Sequence, residues 1–212
     1  MKKTVVGAGR ASTSDLFSDL SPDHFYLLIL PAMDIDLTRN YFELFGLPEG
    51  FEMDQEELTS KYRAFQGALH PDRFSGKSSQ EQRISMQQTV FVNEAYSVLR
   101  SDLKRAHYLL KLQDLEFDAD TETSRDTAFL MQQMELHERV AELDEAVEPI
   151  AALDTLASEF KHQQQDLISR FSSEYAQGHL DAAKELALKL QFYERLTNQL
   201  REKQEKLEEQ LL

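Results

Sequence analysis

The sequence predicts an all-α protein: a helical hairpin followed by a three-helix bundle. Beyond Thr38, apolar residues recur three and four positions apart almost everywhere, which is the spacing of one face of an α-helix. Helix-interrupting residues are scarce, since the 212 residues include only 7 glycines and 5 prolines. No segment has the clear alternation of apolar and polar residues that predicts a β-strand.

Residues 1–37 are predicted to be an N-terminal tail. Within it, residues 1–32 lack helical spacing and are interpreted as loose, or as translated sequence upstream of a true start at Met33. Their apolar run, FYLLILPA, is far too short to span a bilayer and contains a proline, so no membrane segment is predicted. Acidic residues precede the run, unlike a secretory signal or a mitochondrial presequence.

The first half begins with a short helix in TRNYFELFGLP, which Gly46 and Pro48 close. Asp54 is predicted to cap the next helix, with Glu57 three residues on as in a capping box. That helix ends at His70, because the residue before a proline is pushed out of helical dihedral angles. Its apolar stripe consists of Leu58, Tyr62, Phe65 and Leu69.

A second long helix is predicted from about Gln80 to Arg100. Its main apolar stripe is Ile84, Phe91, Ala95 and Val98, with Val92, Tyr96 and Leu99 beside it. Two long helices of matching spacing that are joined by a loop pack as an antiparallel hairpin. A short helix in RAHYLLKL extends this domain, which is predicted over residues 38–112, and the acidic segment 113–124 is predicted to be a linker.

The second half, residues 125–212, is predicted to form a bundle of three helices. The first runs from about Arg125 to Val147 and is broken by Pro149, and the second ends near Gly178. The predicted core residues are Phe129, Leu136, Val140, Leu143 and Val147 on the first helix, Ile150, Leu153, Ala157, Phe160, Leu167 and Phe171 on the second, and Leu186, Leu190, Tyr193, Leu200 and Leu207 on the third.

Three apolar residues of the first bundle helix point away from its predicted core. Leu130, Met131 and Met134 share another face with Glu138 at about 100° per residue. Methionines that remain exposed beside acidic residues make a candidate protein-binding face. The alternative is that they pack on a neighbouring helix or on the first domain.

Composition restricts the chemistry of the chain. The sequence has no cysteine, which excludes disulfides, thiol catalysis and cysteine-ligated zinc. The net charge of −15 is uneven: residues 38–112 carry 10 basic against 10 acidic residues, and residues 121–212 carry 10 against 19, a net charge of −9. Such acidity argues against nucleic acid as a partner. A neutral half and an acidic half suggest two modules with different partners.

The triplet His70-Pro71-Asp72 lies in the loop of the predicted hairpin and allows several interpretations. A catalytic pair requires a positioned partner in a pocket, and no recognisable catalytic spacing occurs nearby. A metal site is weakly supported, because no two of the 6 histidines lie three or four positions apart. The triplet could also be a helix-ending turn capped by His70, or a rigid loop that another protein reads.

With YFELFGLP before the triplet and VNEAYSVLRSD after it, residues 38–112 resemble a J domain, the module by which co-chaperones stimulate DnaK-type ATPases. The resemblance implies that the loop and the basic face of the preceding helix dock on the chaperone. An exposed carboxylate at Asp72 suits a charge-assisted contact with a partner arginine. The chaperone-binding residues that the resemblance implies are His70, Pro71, Asp72, Lys61, Arg63 and Arg73.

From about Thr38 to its end, the chain resembles the HscB family, the J-type co-chaperones of bacterial iron–sulfur cluster assembly. The resemblance rests on YFELFGLP, HPDRF, RAHYLLKL, RDTAFLMQQMEL and AAKELALKLQFYERL. It implies a bacterial cytoplasmic protein that is not an enzyme, holds no cofactor or metal, and binds the chaperone HscA and the scaffold IscU. The implied scaffold-binding residues are Arg125, Leu130, Met131, Met134, Glu135, Glu138 and Phe192. His137 stands where an arginine is expected.

Two other interpretations stay open at this point. The chain could be a J-domain co-chaperone that delivers a different client. It could also be an enzyme that uses His70 and Asp72, in which case it would turn over a substrate without any partner ATPase.

Overall fold

The computed structural model of the protein describes residues 35–115 and 126–210, together with Phe117, Glu122 and Ser124. The described residues are mostly helical and contain no strand, which confirms the all-α fold. They belong to two compact units that are divided between Arg100 and Ser101. The proposed start at Met33 lies outside the described residues. Within the described ranges, no helix is both long enough and apolar enough to cross a membrane.

The first unit contains a hairpin of two long antiparallel helices. Its elements are α1 (Tyr41–Phe45), α2 (Gln55–Ala68), a 3-10 turn (Pro71–Phe74) and α3 (Ser79–Arg100). Contacts between α2 and α3 establish the antiparallel direction. The hydroxyl of Tyr62 donates to Oδ1 of Asn93 at 3.0 Å, and the hydroxyl of Thr59, earlier on α2, lies 3.4 Å from that of Tyr96, later on α3.

Side-chain caps start the first two helices. Asp54 caps α2 as predicted, by accepting hydrogen bonds from backbone N–H groups of the first turn. The capping box, however, forms at α1, where Asn40 and Glu43 each accept from the backbone N–H of the other. The box predicted at Asp54 is corrected accordingly, because the carboxylate of Glu57 is ion-paired with Lys61 at 2.6 Å.

The buried face of α3 differs from the predicted stripe. Ile84, which heads that stripe, is 41% exposed. The buried residues of this helix are Ser85, Gln88, Val92, Ala95 and Leu99. Two of these five are polar, so a search for apolar spacing does not detect the face that they share with Val92 and Leu99.

The second unit is built around two long helices. Its elements are α4 (Asp102–Leu112), α5 (Thr127–Glu142), a 3-10 turn (Leu143–Glu145), α6 (Pro149–Ala176) and α7 (Leu180–Gln210). Helices α6 and α7 pack against each other on either side of a turn at Gly178, whose φ is +76°. Helices α4 and α5 pack on α7.

Helix α4 groups with the second unit, although residues up to 112 are predicted to belong to the first domain. The physical reason is its contact with α7, since His107 forms a hydrogen bond with the backbone of Ala187. Ala106, Leu109 and Leu110 of α4 are fully buried. The domain boundaries at 37, 112 and 124 stay predictions.

Most of the predicted core of the bundle is buried. The predicted residues that are buried are Phe129, Leu136, Val140, Leu143, Leu153, Phe160, Leu167, Phe171, Leu186, Leu190, Tyr193 and Leu200. Val147 is an error of the prediction, because it is 100% exposed. Helix α5 ends at Glu142, and Ala146 is extended after the 3-10 turn, so the helical register does not reach Val147. Ile150, in the first turn of α6, is also exposed.

Candidate functional site

The first candidate surface is the HPD turn, defined as residues 70–74 between α2 and α3. Nδ1 of His70 accepts a hydrogen bond from the backbone N–H of Asp72 at 3.3 Å, so the imidazole caps the turn. The carboxylate of Asp72 lies 3.6 Å from the same nitrogen and its side chain is 91% exposed. That distance is too long for a hydrogen bond, and an exposed carboxylate lacks the enclosure that acid–base catalysis requires.

Neighbouring residues fix the turn to the rest of the unit. Phe74 closes the turn with a buried side chain. The guanidinium of Arg73 donates to the carbonyl of Gly67 at 3.2 Å and so connects the turn to the end of α2. The buried Phe74 and the Arg73 hydrogen bond therefore fix the exposed residues of the turn, which favours a preorganised contact surface.

The predicted basic residues differ in their availability. Arg63 and Arg73 are exposed. The side chain of Lys61 is only 14% exposed. Its ammonium group pairs with Glu57 and donates to the carbonyl of Gly46 at 3.1 Å, so Lys61 joins α2 to the end of α1. This placement favours a structural role for Lys61, which the sequence did not indicate.

The second candidate surface is the α5 patch, defined as Leu130, Met131, Met134, Glu135 and Glu138. At about 100° per residue these five lie within an arc of about 140°, opposite the buried side of the helix. Leu130, Met131 and Met134 are 38%, 70% and 67% exposed, which confirms that the three apolar residues lie outside the core of the unit. Both glutamates are exposed beside them. Arg125 lies outside the described residues.

Phe192 of α7 lies at one edge of the α5 patch. Its half-buried ring packs edge-on against His137, with centroids 5.4 Å apart, and against Phe129 at 5.5 Å. His137 is three residues after Met134, so Phe192 is next to the methionine side of the patch. The structure thus supports the predicted proximity of Phe192 to this face.

Polar contacts that the sequence did not reveal hold the start of α5. Asp126 caps the helix and pairs with Lys189 of α7 at 2.6 Å. The hydrogen bond from Lys189 is the main cause of a lowered pKa at Asp126. Lys189 also lies 5.0 Å above the ring of Phe129. Further along, Arg139 makes a bidentate ion pair with Glu159 of α6, at 2.7 and 2.9 Å.

These contacts fix α5 on two neighbouring helices and leave its patch facing outward. The sequence contains a signal for the cap, since aspartate precedes the helix. The partner of that cap is 63 residues away, and no local pattern predicts it.

Comparison with known proteins agrees with this arrangement. Residues 40–108 match the DnaJ domain family model, and residues 125–201 match the model of the HSCB C-terminal oligomerisation domain. A co-chaperone protein HscB homolog from Aeromonas hydrophila is 40% identical over 161 residues, which are 76% of this chain and 94% of that protein.

Two solved structures are also similar. Chaperone HscB from Vibrio cholerae has a TM-score of 0.71 and 37% identity, covering 82% of this chain and 100% of that chain. The human co-chaperone protein HscB has a TM-score of 0.74 and 32% identity, covering 80% of this chain and 84% of that one. The chain is therefore a member of the HscB family of J-type co-chaperones.

Proposed function

We propose that this protein is a non-enzymatic adaptor that stimulates the ATPase of an HscA-like chaperone. In this proposal it also delivers an IscU-like scaffold to that chaperone for the transfer of iron–sulfur clusters in the bacterial cytoplasm. The chaperone partner follows from the J domain, and the scaffold follows from the HscB resemblance. Binding of both partners by one chain raises their effective concentration for each other.

The HPD turn is the proposed contact with the chaperone. Asp72 presents an almost fully exposed carboxylate next to the exposed Arg73. A carboxylate of this kind binds a partner arginine through short, charge-assisted hydrogen bonds. Arg63, exposed on α2, is the proposed second electrostatic contact, and Lys61 is retained as a candidate despite its partial burial.

The α5 patch is the proposed contact with the scaffold, and its exposure is the observation that carries this half of the proposal. Large apolar side chains in water are disfavoured unless a partner covers them. Leu130, Met131 and Met134 supply apolar anchors, and Glu135 and Glu138 form a polar rim, which is the usual anatomy of a protein interface.

The test is the ATPase rate of an HscA-type chaperone, measured alone, with this protein, with an IscU-type scaffold, and with both. We expect stimulation by this protein alone and a larger, synergistic stimulation when the scaffold is added. Unchanged ATPase rates with this protein would refute the chaperone half. Stimulation that the scaffold does not enhance, together with failure to bind the scaffold in a pull-down, would favour delivery of a different client.

His137 is the observation that favours considering a different client, because it borders the patch at the position where the resemblance leads us to expect an arginine. An enzymatic role for His70 and Asp72 would require substrate turnover by the isolated protein. The open position of both side chains argues against it.

A further inference from the structure

The amide side chain of Gln82 connects the HPD turn to α3. Gln82, in the first turn of α3, donates from Nε2 to the carbonyl of Phe74 at 3.1 Å and to the carbonyl of Lys77 at 3.2 Å. The Phe74 carbonyl also accepts from the backbone N–H of Lys77 at 3.0 Å. Gln82 therefore joins the last residue of the turn to the segment that returns the chain to α3.

The bond from Arg73 to the carbonyl of Gly67 attaches the turn to α2, whereas two further bonds of the turn are local. His70 bonds to Asp72 two residues on, and the hydroxyl of Ser75 donates to the carbonyl of Asp72 at 2.9 Å. Such local bonds shape the turn but do not fix it relative to α3. Gln82 supplies that attachment, because its amide bonds to the carbonyl of Phe74.

We propose that Gln82 is a positioning residue that holds the HPD turn in the conformation in which the chaperone binds it. This inference rests on the proposed function of the turn. A loop that is already ordered binds without the entropic cost of ordering it at the interface. Loss of the bridge is therefore expected to weaken chaperone binding without altering the groups that touch the chaperone.

The two carbonyls require a hydrogen-bond donor at residue 82, so variants at this position can be ranked by their ability to donate. Gln82→Glu replaces the donor by a carboxylate, which at neutral pH only accepts hydrogen bonds and would face two carbonyl oxygens. Gln82→Leu removes the donor without adding a charge. Gln82→Lys restores a donor at the end of a flexible chain. Glutamine, glutamate, leucine and lysine have similar helix propensities, so α3 itself is little affected.

Gln87 offers a matched control. It lies exposed on the same helix, and the described part of the chain shows no hydrogen bond to its side chain. Gln87→Glu and Gln87→Leu make the same chemical changes without touching the turn. They correct for the effect of a new charge or a new apolar group on α3.

The first readout is amide hydrogen exchange in the full-length protein, followed by NMR. The amides of Arg73 and Lys77 report on the turn because they bond to the carbonyls of His70 and Phe74, both at 3.0 Å. We expect exchange at these amides to become about tenfold faster in Gln82→Glu, as expected for the loss of about two net hydrogen bonds. Gln82→Lys should restore protection, and the Gln87 variants should match the wild type.

The second readout is stimulation of an HscA-type ATPase as a function of co-chaperone concentration. In Gln82→Glu we expect the half-maximal concentration to rise about tenfold while the maximal rate is retained, because the contacting groups remain. Asp72→Asn serves as the reference and should lose the maximal rate itself. A residue that positions the turn should therefore change the half-maximal concentration, and a residue that contacts the chaperone should change the maximal rate.

The outcomes are distinguishable. Suppose that Asp72→Asn fails to stimulate the ATPase. If Gln82→Glu then shows unchanged amide exchange, or an unchanged half-maximal concentration, the positioning role of Gln82 is overturned and the proposed function of the turn is not. Equal losses in the Gln82→Glu and Gln87→Glu variants would also overturn it, since charge on α3 would then be the cause. Full stimulation by Asp72→Asn would instead refute the proposed function of the turn.

Discussion

At the residue scale, Asp72 combines high exposure with a position fixed by its neighbours. We expect Asp72→Asn to abolish ATPase stimulation, because an amide cannot replace the charge that a partner arginine would bind. The free energy of unfolding should stay within about 0.5 kcal/mol of the wild type, as is usual for surface substitutions. ATPase assays and thermal unfolding would measure the two effects.

Glu94→Gln is the matched control for Asp72→Asn, since Glu94 is an exposed acid on α3. It should leave stimulation unchanged. A large drop in melting temperature in Asp72→Asn would show that Asp72 is structural and would remove the support for docking.

His107 on α4 is a buried group whose titration should affect stability. Its ring forms a hydrogen bond with the backbone of Ala187, and its Nε2 is buried with no hydrogen-bond partner among the described residues. Burial lowers the pKa of His107 below its usual value, against a smaller opposite effect of the bond to Ala187. The neutral imidazole is thus the form that the folded protein stabilises.

The lowered pKa of His107 makes the folded protein less stable as the pH falls. As the pH falls below about 6.5, the usual histidine pKa, the unfolded chain takes up a proton that the folded chain does not. The contribution of His107 to stability is therefore present at neutral pH and is lost as the pH falls through 6.5 toward the lower folded pKa. For one proton the slope is at most about 1.4 kcal/mol per pH unit.

The measurement is urea unfolding between pH 7.5 and pH 5 for the wild type and His107→Asn, which keeps a side-chain donor without a titrating ring. We expect the stability of the variant to depend less steeply on pH. His162→Asn, at an exposed position of α6, is the matched control for the loss of a histidine. Parallel curves for His107→Asn and the wild type would contradict the role of His107.

At the element scale, α2 contains a glycine that its packing does not require. An added Cβ at Gly67 would meet no atom within 4 Å. Glycine destabilises a helix by about 0.5–1 kcal/mol relative to alanine, so Gly67→Ala should stabilise the protein by up to that amount. Urea unfolding of the variant measures the gain.

Gly178 provides the opposite case for the same substitution. It also has free space around it, but its φ of +76° is a left-handed conformation that alanine rarely adopts. Gly178→Ala should therefore destabilise the protein by about 1–2 kcal/mol. Equal effects at the two glycines would mean that backbone conformation does not decide the outcome.

At the scale of the whole molecule, the proposed function requires that client binding and ATPase stimulation can be separated. We expect simultaneous Leu130→Ala, Met131→Ala and Met134→Ala changes to abolish scaffold binding, since anchors at an interface centre commonly contribute about 2 kcal/mol or more each. Stimulation by the protein alone should survive, and the synergy with scaffold should disappear. Binding by calorimetry and ATPase rates would check this.

The exposure of these residues also limits the cost in stability. The triple variant should lose far less than the about 2–5 kcal/mol that is typical for each buried leucine or methionine replaced by alanine. Val147→Ala with Ile150→Ala is the control, because both residues are exposed and apolar in the same unit. Unfolding of the triple variant, or normal scaffold binding, would place the client surface elsewhere.

Several features of this protein were predictable from the sequence. The fold class, the cap at Asp54, the turn at Gly178 and the outward direction of Met131 and Met134 follow from residues that lie close together along the chain. Caps, left-handed turns and helical spacing depend on interactions between residues a few positions apart, so their residue types are visible in short segments.

Other features were decided only by tertiary structure. The buried face of α3 includes Ser85 and Gln88, Lys61 bonds to Glu57 and to the carbonyl of Gly46, and α4 packs on α7. The sequence by itself determined where helices form and which short motifs they present. Tertiary structure decided which face of a helix is buried and which charged side chain forms an ion pair. Both depend on residues far apart in sequence, because three-dimensional packing and not local spacing brings them together.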